Sequence, residues 1–429
     1  MSSVNTNMGA VVSAANMAKF GRELDTSIER LSSGLRINSA KDDAAGMAIV
    51  SKMEAQVRGV TQAIRNATDS QKLIDTSEGA HVETLNILQR MRELSVQSAN
   101  DTNQAIDRAF LNSEVTQLIA EIDRIAGQTT WNGEKILDGN FTSKQFQLGA
   151  NEGEKVTYSI DSAKSAAIGN YTVAGTAFHE QISTSVSTIT TDTLTISGYI
   201  GSAAVSVAAN GTAEETAALV NAKTADTGVS ATAQTNVKLS GLVSAGNLSF
   251  TLSNGDATAS VSASISDKSD LRALRDAINA VAGTTGISAE MSSSTNADVI
   301  LTHSTGADII VTDFTNDVAA GDITFTALTT ALVATATGET LQADTDASND
   351  SIAVGVIDLN SHKSFSLTNV ATGSATVGFF GSAAATKSAS LDAVSAISIG
   401  TASGAQNAIS VIDGAINKIN QSRSNLGAI

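Results

Sequence analysis

The stretch from Asp43 to Asn100 contains no Pro and sets apolar residues at Met47, Val50, Met53, Val57, Val60, Ile64, Ala67, Ile74, Val82, Leu85 and Leu88. Steps of three and four dominate, which marks one apolar stripe along an α-helix. Lys52, Glu54, Arg58, Arg65, Asp69 and Lys72 fill the other faces. Continuous helix over that span would be roughly 87 Å long at the rise of an α-helix. No small globule encloses such a helix. It has to lie along other helices, of its own chain or of further copies.

Three further segments share that periodicity. Residues 5–33 carry a seam at Met17, Phe20, Leu24, Ile28 and Leu31, with steps of three and four as in a coiled coil. An ordinary amphipathic core helix reads the same way, and the long neighbour tips the balance. Gly34 is a natural stop, and Ser39 or Asp42 can cap the long helix, with Asp42 and Asp43 at its positive end. With no His and no third carboxylate beside them, this pair reads as capping rather than as a metal or acid/base site. Beyond the break at Asp101-Thr102-Asn103, Ile106, Phe110, Val115, Leu118, Ile122 and Ile125 predict a third helix, antiparallel to the second because the link is short. Ala408, Ile409, Ile412, Ala415, Ile416, Ile419 and Leu426 predict a helix over 405–429 that is cut off in mid-pattern. Between residues 131 and 160, Asn132-Gly133 and the turn Gly149–Gly153 predict small β-hairpins laid against the helices.

The middle differs. From Ala177 the chain turns to Ser, Thr, Ala, Gly and Val, and it repeats itself. One copy runs through Leu194-Thr195-Ile196, Val205-Ser206-Val207, a helix over 214–221, Thr227-Gly228-Val229 and Val237-Lys238-Leu239. The other runs through Leu248 to Leu252, Ala259 to Val261, a helix over 271–278, Thr285-Gly286-Ile287 and Val299-Ile300-Leu301. Each copy reads as strand, strand, helix, strand, strand, with sheets buried on one face. Ile352-Ala353-Val354, Phe365-Ser366-Leu367 and Val377-Gly378-Phe379 predict more β-structure. Aromatics are only 3 % of the chain, so its cores rest on aliphatic side chains.

Charge separates the same regions. Residues 1–140 hold 14 basic and 18 acidic side chains, net −4, and residues 141–429 hold the other 12 and 25, net −13. An acidic surface of this kind repels nucleic acid and anionic lipid, so neither nucleic-acid binding nor membrane insertion is expected. The start, Met1 to Asn7, lacks the basic and apolar blocks of a cleaved secretory signal. The absence of Cys removes disulfides and thiolate chemistry. Four His residues remain, at positions 81, 179, 303 and 362. His179-Glu180 opens like a zinc-protease helix motif but has no second His four residues on. His81, beside the long stripe, reads as a packing or surface residue. Neither a phosphate loop nor a nucleophile elbow is present. The chain is expected not to be an enzyme and to hold no cofactor or metal.

Leu31 to Gly46, Leu88 to Asn100 and Glu121 to Gly133 resemble the signature runs of the bacterial flagellins, and Ala408 to Ile429 is similar to the start of that family's returning helix. The match covers residues 1–160 and 400–429; the repeated middle resembles the insert modules of many flagellins. The resemblance implies a multidomain α plus β chain, in which a long antiparallel coiled-coil-like helical rod with small β-hairpins carries an outer β-rich α+β insert of repeated modules. Its expected divisions are a terminal inner-tube helix (1–36), the rod with hairpins (37–176), a first insert repeat (177–242), a second (243–315), a further β-rich region (316–398) and the returning helix (399–429). It implies a structural subunit that polymerises with other flagellin subunits into the swimming filament. It further implies passage through the flagellar export apparatus without a cleaved signal, and contact with cap and hook-junction proteins. Subunit packing is expected at Met17, Phe20, Leu24, Ile28, Leu31, Met47, Val50, Val57 and Ile64. By the same likeness, Arg90, Leu94 and Glu114 match the positions where a host Toll-like receptor contacts flagellins. Family members continue beyond the position of Ile429, so a truncated form that does not polymerise by itself is expected. A hook–filament junction protein, or a surface adhesin acting through 177–395, are the alternatives.

Overall fold

The computed structural model describes residues 7–100, 102–182, 189, 191–292, 295–318, 321–343, 349–371, 378–380 and 386–429. Its helices are α1 (Met8–Ser33), α2 (Ala44–Ser98), α3 (Ala105–Gln128), α4 (Ala213–Asn221), α5 (Thr224–Thr227), α6 (Arg272–Thr285) and α7 (Ala402–Gly427). Contacts divide the chain into two units, Met1–Thr76 with Thr142–Ser159, and Ser77–Phe141 with Ile160–Ile429. The division does not follow chain order and falls within α2.

In the first unit, both ends of α1 are capped. The Asn7 side chain accepts the Ala10 N–H at 3.2 Å, and Gly34, at φ 69°, donates its N–H to the Arg30 carbonyl at 2.9 Å. The expected start at Asn5 lies outside the described residues. The link to α2 is held by its two aspartates. Asp42 Oδ2 accepts the Asn38 and Ser39 N–H groups at 3.2 and 3.0 Å, which holds its carboxyl below the usual range. Asp43 caps α2, accepting the Gly46 N–H at 2.8 Å. The hairpin Lys144–Gln147/Lys155–Tyr158 lies on α2, where Asn66 donates to the Gln147 carbonyl at 3.0 Å and the Ser70 and Tyr158 hydroxyls meet at 3.3 Å. A Cβ on Gly59 would stand 2.8 Å from that of Ala150, so the hairpin loop approaches α2 where glycine leaves room.

In the second unit, α2 lies antiparallel to α3 and to α7. Arg90 meets Glu114 while the Ser98 carbonyl accepts from Arg108; Glu78 meets Arg423 while Arg92 meets Asp413. The buried face of α2 here is not the continuation of the apolar stripe. Val82 is at the surface and Leu85 half-buried, whereas Ser77, His81, Thr84, Leu88, Met91, Leu94, Ser95 and Ser98 are enclosed. Polar residues occupy core positions, and counting apolar side chains misses that face. α3 shows the converse: Val115, Ile122 and Ile125 are buried, but Ile106 and Phe110 from the same expected stripe are open to solvent. Thr130–Trp131 pairs with Glu134–Lys135 through Asn132 (φ 50°) and Gly133 (φ 82°), the left-handed pair that an Asn-Gly hairpin needs.

The rest of this unit is antiparallel β-structure. One sheet orders Thr258–Ile265, Gly246–Ser253, Ile309–Asn316, Ser351–Val354 and Phe178–Gln181. A second orders Ile287–Met291, Val299–His303, Ser230–Ser240, Val356–Ser361, Gly169–Val173 and Ser390–Ala393, with Ile323–Leu328 also on Ser230–Ser240 and Glu339–Leu341 beyond it. A third orders Thr386–Ser388, Ser366–Ala371, Asp192–Ser197 and Ser202–Val207.

Both repeat copies enter their closing strand alike. Left-handed Gly228 and Gly286 (φ 74° and 71°) end α5 and α6, α4 having already ended at right-handed Ala222, and Asn221 and Asn279 each exchange two hydrogen bonds with the backbone of Ala231 and Ala289. The copies are not self-contained. In the first, the two closing strands are one strand, Ser230–Ser240, which pairs with Val356–Asn360, with Val299–His303 and with Thr324–Leu328. Strands from 177–242, 243–315 and 316–398 therefore share sheets. Apolar cores result, a large one around Phe250, Leu274, Ile278 and Phe325, another around Leu194, Val220, Ile357 and Phe380, and a small cluster of Ile182, Ile310 and Ile352. Of the expected segment 377–379, Val377 lies outside the described residues and Phe379 is buried.

Two buried titratable groups give the second unit opposite pH dependences. His81 meets the Ser422 hydroxyl of α7 at 3.5 Å through Nε2, and its enclosed Nδ1 makes no hydrogen bond among the described residues. Burial lowers its pKa from 6.5 to about 4, with Glu78, Asp161 and Arg423 as nearby charges. Folded His81 is neutral, so its contribution is complete above pH 6.5 and is lost as pH falls towards 4, by about 3 kcal/mol. Asp308 accepts the Gly355 N–H, and burial beside Glu215 and Glu180 pushes it up from 3.8 to about 7. Folded Asp308 keeps its proton, so stability falls as pH rises from 3.8 to about 7, by about 4 kcal/mol. In urea unfolding between pH 4 and 8, Asp308→Asn is expected to flatten the loss towards high pH and His81→Gln the loss towards low pH. Slopes identical to the unaltered chain would contradict both assignments.

Candidate assembly surface

α1 buries no residue. Met17, Phe20, Leu24, Ile28 and Leu31, the expected seam, are 55–86 % exposed and lie within one narrow arc of the helix. Along α2 in the same unit, Ile49, Val50, Met53, Val57, Val60 and Ile64 form a second open row, 48–64 % exposed, and Met47 is half-buried. Burying one such side chain is worth roughly 1.5–3 kcal/mol. Contiguous apolar rows of this extent mark a surface that other protein covers. Beyond its caps, α1 is tied to the link that follows it through Glu29, which accepts from Asn38 Nδ2 at 3.1 Å and pairs with the exposed Lys41 at 3.8 Å, contacts that contribute little energy.

Arg90, Leu94 and Glu114 are brought together unequally. Arg90 grips Glu114 through Nε and Nη2 at 3.1 and 2.9 Å and Glu93 through Nη1 at 3.1 Å, and these bonds hold its guanidinium protonated above its usual range. Both members of the Arg90–Glu114 pair are exposed, whereas Leu94, one turn on, is buried at 1 %. Sequence reasoning missed the polar ties to α7 and to the segment before it: Arg92 to Asp413 at 2.7 Å, Arg423 to Glu78 at 2.7 Å, and the Ser98 hydroxyl donating to the Ile399 carbonyl at 2.6 Å. Their partners lie some three hundred residues away, and no local pattern announces them.

The histidines are structural in their surroundings. His179 accepts the Ala327 N–H at Nδ1 (3.3 Å) and donates from Nε2 to the Thr337 carbonyl (3.1 Å). His303 Nδ1 meets the Thr305 hydroxyl at 3.2 Å, and His362 packs edge-on to Tyr199. Among the described residues no group of three or more His, Asp or Glu is placed to hold a metal ion, and no helix is long and apolar enough to cross a membrane.

Two helices with open apolar rows, joined to a β-rich body, define the class of self-associating helical subunits. Comparison with known proteins narrows the class. The family model for the bacterial flagellin N-terminal helical region matches residues 4–142, and that for the flagellin hook IN motif matches residues 247–305, the second repeat. The B-type flagellin of Pseudomonas aeruginosa is 34 % identical over 99 % of this chain and 86 % of its own length. Flagellin D of Vibrio anguillarum is 48 % identical over 38 % of this chain, a match that spans 43 % of the relative. Among solved structures, FliC from Burkholderia pseudomallei aligns with 84 % of this chain and 98 % of its own at 20 % identity and a TM-score of 0.33. The chain belongs to the flagellin family.

A helix without buried residues is held by capping, local propensity and a few surface polar contacts. In the dilute chain, amide hydrogens of α1 are expected to exchange at least about a hundredfold faster than those of Leu88–Ser98. Equal protection of the two segments, read by mass spectrometry, would show that α1 is covered within its own chain.

Proposed function

We propose that this chain is a structural subunit of the bacterial flagellar filament, and that the open rows of α1 and α2 are its packing surface. Like copies supply the cover: Met17, Phe20, Leu24, Ile28 and Leu31 meet α1 helices of neighbouring subunits, and Val50, Val57 and Ile64, with Met47 at their edge, meet neighbouring α2 segments. The observation that carries this reading is that α1 buries no residue despite its coiled-coil spacing. Cohesion then comes from burial repeated in every subunit. The β-rich body, net −13 from residue 141 on, takes no part in the seam and is turned to the medium. Kinship supports passage through the flagellar export apparatus without a cleaved signal, and contact with cap and hook-junction proteins at the filament's ends. Leu24→Asp puts a carboxylate in the middle of the seam. Cells carrying it are expected to make the chain but to release at least about tenfold less of it in sheared filaments. Filaments of normal yield would overturn the seam assignment.

The exposed Arg90–Glu114 pair favours a second role, recognition by a host Toll-like receptor. Arg90 and Glu114 then form the contact itself, and the enclosed Leu94 shapes the helix behind it. Arg90→Asp would set two carboxylates against each other and is expected to weaken receptor signalling at least about tenfold. Signalling at the unaltered level would remove this role.

A further inference from the structure

We propose that Met17 and Met53 form an oxidant-sensitive pair on the assembly surface: conversion of their thioethers to sulfoxides by a peroxide stops a free subunit from joining a filament, and subunits already joined are protected. The proposal rests on the filament reading above. The chain has seven methionines and no cysteine, so thioethers are its principal soft target for a peroxide. Their placement is uneven. Met17 and Met53, 76 % and 59 % exposed, stand in the open rows of α1 and α2. Met8 is 66 % exposed but nine residues from Met17, which puts it on the opposite side of α1. Met91 is fully enclosed, and Met291 packs half-buried against the β core. The molecule thus carries its own controls: an exposed methionine off the rows, and a sealed one.

The chemistry needs only the peroxide. A sulfur lone pair attacks one peroxide oxygen, the S–O bond forms as the O–O bond breaks, and sulfur gives up two electrons. The departing hydroxide takes a proton and leaves as water. The product oxygen is a strong acceptor on a flexible side chain that was apolar. Between neighbours such as Phe20, Leu24 and Val57 it would be enclosed with no donor. Each sulfoxide is expected to weaken docking about tenfold.

The test uses filaments sheared from cells, dissociated by heat, treated with hydrogen peroxide and regrown on untreated seeds, with light scattering and peptide mass mapping as readouts. Sulfoxide is expected at Met8, Met17 and Met53 well before Met91, with regrowth at least about tenfold slower. A methionine sulfoxide reductase with its thiol reductant should restore it, and intact filaments in the same peroxide should keep Met17 and Met53 unoxidised. Each variant is compared with its own untreated sample: M17L/M53L should lose most of its sensitivity to peroxide, half-buried Met47 at the edge of the α2 row carrying the remainder, and M8L should be as sensitive as the unaltered chain. Equal sensitivity of M17L/M53L would overturn the proposal. So would normal regrowth of subunits mapped as oxidised at both positions. Failure of untreated subunits to regrow would overturn the filament reading, and the proposal with it.

Discussion

From Ser77 to Ser98, α2 presses one face onto α3 and α7, and the helical layer of the second unit depends on that seal. Leu88, Met91 and Leu94 supply its apolar part. Ser77, His81 and Thr84 supply a polar part that a purely apolar reading would place outside. Ion pairs at its margin, Arg92 with Asp413 and Arg423 with Glu78, join residues far apart in the chain. Being partly exposed, they contribute little energy. They set the alignment of α7 along α2, and the buried aliphatic contacts provide the cohesion. Before Thr76 the same helix has the opposite character, with an apolar row from Ile49 to Ile64 that stands open to solvent. One helix thus closes its own fold along one stretch and leaves an apolar row open along another.

Much of this was legible in the amino-acid sequence. The three-and-four spacing of Met17, Phe20, Leu24, Ile28 and Leu31 identified a helix with its apolar side chains in one arc, because those steps place side chains close together around the axis. Asn132-Gly133 announced its hairpin, because only residues at ease with positive φ make that turn. Thr227-Gly228-Val229 and Thr285-Gly286-Ile287 betrayed the repeat. What escaped was non-local. Spacing alone does not say which part of a stripe its own chain covers, so the stripe that predicts α3 includes Ile106 and Phe110, which stand open. The burial of His81 depends on α7, over three hundred residues away. The division of the insert into successive modules failed to anticipate Ser230–Ser240, a strand whose hydrogen bonds reach both later segments.

The two regions of the chain solve different physical problems. The β-rich body closes its cores with aliphatic side chains and a few Phe residues, turns into the closing strand of each repeat at a left-handed glycine, and concentrates the negative charge. Like charge on such a body makes copies of it repel one another. The first unit keeps a nearly balanced charge and leaves its apolar rows open. Neither arrangement could replace the other. A strongly acidic seam would repel its copies, and an open apolar row on the β body would invite indiscriminate association.

If neighbouring copies close the rows on α1 and α2, a helical reconstruction of filaments sheared from the source cells will show it in the positions of Leu24, Ile28, Val57 and Ile64. All four are expected to be buried between subunits, with the repeats over 192–303 outside the seam contacts. Contacts made through the repeats, with α1 and the first half of α2 facing solvent, would contradict closure by copies.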